Sequence, residues 1–275
     1  MFVSLIDKVE LKALNNPIKW LLIISLCVNL LQVSLYFLYG RLPALAYENS
    51  VSVRFGSFLD DPNGFAILCF LLVGWGHVFL CKKVFVRACV QSMLFITILL
   101  TQSLTAIAIS VLVYGFLYCR DKYIIIFTFL SICVFLYFNL YERLLLIFEL
   151  KQGSIDQHAD VSLILDDISR VLFGGDYSPT ESWWIFSLNT NGVLITVSVF
   201  LWCIYSIFKC YSLYRLAGDD LPSRAVSFSI FIFSIAFFMA SFNLPLFDVF
   251  PINFLCFSMW TMIALGKFYS TAKSI

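Results

Sequence analysis

The sequence predicts an all-α polytopic membrane protein with about eight transmembrane helices, N-terminus and C-terminus on the inner side, and two long outer loops. Three observations predict it. Of 275 residues, 61% are hydrophobic and 13% charged, about half the charge of an ordinary soluble domain. Phenylalanine alone contributes 30 residues, and an apolar load of this size needs lipid as its solvent. The apolar stretches are continuous rather than alternating, as helices require and barrel strands do not.

Taken in order, the apolar runs are 20–39, 65–81, 88–100, 104–119, 123–140, 192–208, 226–242 and 250–266. A helix needs roughly 20 residues to cross the hydrocarbon, so the third run is short. Thr101, Gln102 and Ser103 alone separate it from the fourth, which predicts a tight helical hairpin. The first run is followed by no small-residue cleavage site and reads as a span rather than a signal peptide.

Orientation follows from the distribution of Lys and Arg. With the N-terminus inside, 13 of the 18 basic residues are inside. Arg41, Arg54, Arg143, Lys151 and Arg170 remain outside, with 12 of the 17 acidic residues. The chain reads as a single membrane domain over 1–275, with outer loops at 40–64 and 141–191. Loops this long usually carry function. Within the second, Val161, Ile164, Leu165, Ile168, Val171 and Leu172 recur at helical spacing. They predict an amphipathic helix near 160–173 on the membrane surface, ended by Gly174 and Gly175.

The nine cysteines lie in or beside apolar runs. Their spacing suits neither a zinc site nor a disulfide framework, and they read as small apolar side chains. His77 sits in a span and reads as an interhelical hydrogen-bond partner. His158 stands near Asp156 and Asp160 but has no second histidine to complete a metal site, so no metal is expected. There is no cofactor fingerprint, phosphate-binding loop or serine nucleophile elbow, and no basic run that would point to nucleic acid.

Three stretches could carry chemistry. Residues 54–66 run from Arg54 through Asp61, Pro62, Asn63 and Gly64. Asp61 or Asn63 suits a helix cap. Arg54 either snorkels to lipid headgroups or offers its planar donor fork to a phosphate or pyrophosphate. Residues 170–192 carry Arg170, Asp176, Glu181, Trp183 and Trp184. The tryptophans suit an interfacial belt or the stacking face of a sugar site, and the carboxylates suit proton transfer from a hydroxyl. Residues 101–106 place hydroxyls and a small residue at the hairpin tip, where helices approach closely.

The order of these stretches resembles the O-antigen polymerase and O-antigen ligase superfamily. The resemblance rests on Arg54-Phe-Gly, Asp61-Pro-Asn-Gly-Phe-Ala, Leu100-Thr-Gln-Ser-Leu-Thr-Ala, Leu172-Phe-Gly-Gly-Asp and Glu181-Ser-Trp-Trp, and covers roughly residues 40–265. The hairpin motif departs from the family's Thr-x-Ser-Arg-Thr-Ala, with leucine at the arginine position. The family's ligases usually have a histidine near Glu181, so the departure favours a polymerase. The family arginine upstream of the glycine turn has no counterpart at 155–158, where the chain reads Ile-Asp-Gln-His. Its role would pass to Arg170, Arg143 or His158. The family also usually has more spans, so this chain is expected to be a short member.

The resemblance implies a GT-C-like glycosyltransferase of the bacterial inner membrane, active at the periplasmic face without a cofactor. It would polymerise oligosaccharide units carried on undecaprenyl pyrophosphate. It implies Arg54, Arg170 and Arg143 on the pyrophosphate, Glu181, Asp176 and Asp61 as catalytic carboxylates, and Trp183, Trp184 and Asn63 on sugar. Membrane lipid, a chain-length regulator and a flippase are the implied partners. A ligase transferring glycan to lipid A core, or a transporter of the same lipid-linked sugars, is the alternative. A transporter should place ionisable groups mid-span, and here charge collects at one face.

Overall fold

The computed structural model describes residues 11–39, 46–48, 53–59, 61–137, 172–175, 182–244, 246–247 and 252–265. Each apolar run contains a helix. They are α1 (Asn15–Tyr39, entered by the 3-10 turn Leu11–Leu14), α2 (Pro62–Phe79), α3 (Val84–Leu100), α4 (Leu104–Tyr118), α5 (Lys122–Tyr137), α6 (Trp183–Leu216), α7 (Leu221–Ala240) and α8 (Ile252–Leu265). Segments Lys12–Tyr36, Pro62–Phe79, Trp183–Leu216 and Leu221–Ala240 are long and apolar enough to cross a membrane. The chain is an all-α membrane protein to that extent. Helices α3 and α4 have 17 and 15 residues, below the roughly 20 of a full perpendicular crossing, and the described parts of α5 and α8 have 16 and 14.

Burial separates the centre of the bundle from its rim. Protein covers 83% of the apolar window of α2 and 67% of that of α7, against 28% in α1 and 22% in α6. Helices α2 and α7 are therefore hydrophobic all round because they are enclosed by other helices. Leu112, Phe116, Phe129, Leu194, Leu201 and Phe208 are exposed, as lipid-facing side chains on the outer helices would be. The α2–α7 contact is closest at Gly74, where an added Cβ would lie 2.8 Å from Ser229 Cα. Ser229 Oγ donates across this contact to the Leu71 carbonyl. Gly74→Leu should push the two central helices apart and cost about 2 kcal/mol. Thermal denaturation in detergent would read this as a lowered midpoint; an unchanged midpoint would show that the contact gives way freely.

Helices α1 and α2 run antiparallel, α3 and α5 start side by side, and the helix ends fall into two sets. Trp75 Nε1 donates to Asn15 Oδ1 at 2.8 Å, joining the end of α2 to the start of α1. His77, Tyr118 and Phe228 pack together, and an Arg87–Asp121 ion pair joins the starts of α3 and α5. Lys12, Lys19, Lys82, Lys83, Arg87, Arg120, Lys122, Lys209, Arg215 and Arg224 all fall within about two helical turns of this basic end. Among the described residues, Arg54 is the one basic side chain at the opposite end.

Helix α6 departs from a simple span. Gly192 has φ 76 and ψ 173, and the helix doubles back there into arms 183–191 and 193–216. The Trp184 and Phe200 rings lie 5.4 Å apart, whereas a straight helix would separate them by about 24 Å. Ser187 Oγ meets Thr196 Oγ1 at 2.9 Å, which confirms the antiparallel pairing of the arms. The span read from 192 onward is thus the long arm. The stretch before it, read as loop and Trp belt, is a second helical arm folded back on the first. Its Ser, Thr and Asn content hid the helix, because these residues compete with helix bonds in isolation.

Two glycines make the fold-back possible. Residues 172–173 are helical, and Gly174 follows with φ 73. A Cβ on Gly174 would stand 2.3 Å from the Thr190 carbonyl oxygen, and one on Gly192 would stand 2.3 Å from that of Leu172. Gly175 N donates to the Asn189 carbonyl at 3.0 Å, so the backbones cross in contact. The expected stop at Gly174–Gly175 is present, while the expected helix over 160–171 lies outside the described residues.

Candidate functional site at the Arg54 end

Arg54 sits on a short antiparallel hairpin, β1 (Ala46–Glu48) and β2 (Val53–Phe55), opposite Tyr47. Three-residue strands carry too little alternation to be read from sequence. Phe55 is buried and meets Tyr36 edge-on at 5.8 Å, which pins the hairpin to α1. The chain then turns at Gly56 and Ser57, with Leu59 N donating to the Gly56 carbonyl at 3.0 Å. Ser57 has φ 54, a sparsely populated conformation for a residue with a side chain.

Gln32 holds that turn. Its Nε2 donates to the Ser57 carbonyl at 2.7 Å, and Ser57 N donates back to Gln32 Oε1 at 3.0 Å. Ser57 Oγ donates to the Ser25 carbonyl at 3.1 Å. Ser25, Asn29 and Gln32 are all buried and share one face of α1 at helical spacing. The sequence reading missed this polar stripe. Its only signal was three polar residues spaced four and three apart within an apolar run.

The turn delivers the chain to α2. Both oxygens of Asp61 cap that helix, accepting from Asn63 N at 3.0 Å and Gly64 N at 2.8 Å, with Pro62 at the first helical position. This fulfils the expectation of a cap and occupies the carboxylate proposed for proton transfer. Arg54 Nη2 donates to Asn63 Oδ1 at 2.6 Å, and its Nε donates to the Thr101 carbonyl at 2.8 Å. One guanidinium therefore ties β2 to the start of α2 and the end of α3.

The hairpin tip is as tight as expected. Gln102 has φ 51, and Thr101, Gln102 and Ser103 are all buried. Thr101 Oγ1 donates to the Ile98 carbonyl at 2.7 Å. Ser103 stands at the N-cap of α4 without making a side-chain cap bond. The starts of α2 and α4 thus lie on either side of Arg54's partners, and helix N-termini favour negative charge.

A polar seam continues from here to α6 and α7. Asn243 Nδ2 donates to Thr105 Oγ1 at 3.3 Å. Ser241 accepts from Trp184 Nε1 at its hydroxyl, 2.7 Å, and from Trp183 N at its carbonyl, 3.3 Å. Trp184 is buried among Phe200, Phe238, Phe242 and Phe247. Its ring is enclosed by these phenylalanines, with only the Nε1 bond to Ser241 on its polar edge. Trp183 is half-buried and stacked on Phe247 with centroids 4.0 Å apart. Asn243 was missed because it lies just past the seventh apolar run with no flanking pattern.

The structure therefore brings together Arg54, Asp61 and Asn63 from the first loop with the 101–106 tip. It places Trp183 and Trp184 beside the far end of the seam. Glu181, Asp176, Arg170, Arg143 and His158 lie outside the described residues. Among the described residues no cluster of His, Cys, Asp or Glu could hold a metal ion. His77, expected to bond another helix, instead packs between the Tyr118 and Phe228 rings, 5.1 and 5.4 Å away. No protein-family model, curated protein or solved structure matches this chain.

The Arg54 strand lies beside the last turns of α1, where Phe55 meets Tyr36 and Gln32 holds Ser57.

Proposed function

We propose that the chain is a membrane glycosyltransferase that polymerises undecaprenyl-pyrophosphate-linked oligosaccharide units, with eight spans, both termini cytoplasmic and the Arg54 end periplasmic. The observation that carries this reading is Arg54 itself. It is the one described cation at its end, clamped by Asn63 and the Thr101 carbonyl beside two helix N-termini. A guanidinium fixed in this way is preorganised for a dianionic or trianionic leaving group. A headgroup anchor would need no clamp.

In the proposed reaction a hydroxyl oxygen of the acceptor glycan attacks the anomeric carbon of the donor glycan. The bond from that carbon to the pyrophosphate oxygen breaks, and lipid pyrophosphate leaves with the electron pair. Arg54 stabilises the departing charge, and Arg170 and Arg143 are assigned the same task. The hydroxyl proton goes to Glu181 or Asp176, since the Asp61 carboxylate is engaged as a cap. Glu181 directly precedes Ser182 in the chain, and the next residue, Trp183, is bonded to Ser241 at the seam. The sugar-facing surface is assigned to Asn63 and Trp183.

The test is surface polysaccharide from the native host carrying Arg54→Ala or Arg170→Ala, examined by gel. The expected result is single-unit glycan on lipid A core. Full-length ladders from both variants would refute the polymerase reading. Loss of all glycan, with lipid-linked polymer retained in the membrane, would make the chain a ligase; retention of single lipid-linked units would make it a flippase.

A further inference from the structure

The basic end holds a polar cluster that the proposed reaction does not use. His77 comes from the last turn of α2, Arg87 from the first turn of α3 and Tyr118 from the last residue of α4. His77 Nδ1, Arg87 Nε and Tyr118 Oη are each shut away from solvent, and none has a hydrogen-bond partner among the described residues. The three groups are neighbours. The His77 and Tyr118 rings are 5.1 Å apart, and Arg87 is held at the same end through Asp121, whose backbone N donates to the Tyr118 carbonyl at 2.9 Å. Arg87 also pairs with Asp121, whose Oδ1 accepts from Tyr123 N at 3.2 Å and Ile124 N at 3.4 Å to cap α5.

One orphaned buried polar atom can be strain, but three together from three helices need a shared partner. A cation does not fit beside Arg87, and a bound anion gains little because Asp121 already balances the Arg87 charge. The donor and acceptor inventory fits a water molecule. Arg87 Nε–H and Tyr118 O–H can donate, and His77 Nδ1 can accept when the ring proton is on Nε2. We propose that His77, Arg87 and Tyr118 enclose a structural water that accepts from Arg87 and Tyr118 and donates to His77. It cross-links the ends of α2, α3 and α4 beside the Arg87–Asp121 pair. This inference is independent of the glycosyltransferase reading.

Two measurements test it. The chain has two histidines, so protein with nitrogen-15 histidine in nanodiscs of deuterated lipid gives two ring systems, and His158→Gln assigns them. Magnetisation transfer from water to the His77 ring is expected; no transfer would overturn the proposal. Tyr118→Phe removes only the hydroxyl and keeps the ring contact. It should lower the melting midpoint by a few degrees in the native background and have little further effect after His77→Phe. An orphan with no water would behave oppositely, because deleting an unpartnered buried polar atom is neutral or stabilising. A Tyr118→Phe protein at least as stable as the native chain would therefore also overturn the proposal.

Discussion

Arg54→Lys is expected to lose nearly as much polymerising activity as Arg54→Ala, on the order of a hundredfold or about 3 kcal/mol of transition-state stabilisation. The reason is geometric. Arg54 donates from Nε to the Thr101 carbonyl and from Nη2 to Asn63 Oδ1, two bonds made from one rigid plane. Lysine keeps the positive charge but has a single ammonium on a flexible stem. It cannot hold both partners while presenting a fixed face to a pyrophosphate. The measurement is chain elongation by purified protein in nanodiscs, with size-exclusion profiles confirming that each variant folds. Native chain lengths from Arg54→Lys would mean that charge alone suffices, and the clamp would lose its assigned purpose.

Gly192→Ala is expected to destabilise the fold by about 3 kcal/mol or more, because strain and overpacking combine there. A side chain at φ 76 is strained wherever it occurs, and here its Cβ would also meet the Leu172 carbonyl oxygen at 2.3 Å. That oxygen is backbone in a crossing segment and cannot rotate away. Gly218 supplies the control. It has φ 56 but nothing within 4 Å of an added Cβ, so Gly218→Ala carries the cost of a positive φ without the collision and without the glycine-only ψ of 173 at Gly192. Melting midpoints of the two variants in the same detergent separate the contributions. Equal losses would show that the close crossing of residues 172–175 and 189–192 does not matter.

Helix placement was legible because continuous apolar runs leave the backbone one economical way to satisfy itself in lipid. Boundaries shifted by a few residues, as at Pro62 and Val84, where a cap and a tight turn set the start rather than hydropathy. Of the site, Arg54 stood out because it broke the charge bias, and Asp61-Pro-Asn-Gly because it has the chemistry of a helix start. The partners of Arg54 were not legible. A backbone carbonyl such as that of Thr101 has no sequence signature, and neither has the amide exchange between Gln32 and Ser57. The fold-back at Gly192 was hidden for a different reason. A single glycine before an apolar run reads as the start of a span, and only the contacts on either side make it a vertex. The enclosure of Trp184 was not legible either, because interfacial and interior tryptophans look alike in sequence until their neighbours are known.

The unequal helix lengths have a consequence for how the bilayer meets the protein. Helices α3 and α4 are about 26 and 23 Å long, while α1 is about 37 Å. A membrane that satisfies α1 by length, or by its tilt, is too thick for the opposite flank, and lipid relieves such mismatch by thinning locally. Thinning beside α3 and α4 would lower the aqueous boundary toward Thr101 and Arg54. A charged headgroup could then reach the guanidinium sideways from the leaflet, with its hydrocarbon tail still in lipid.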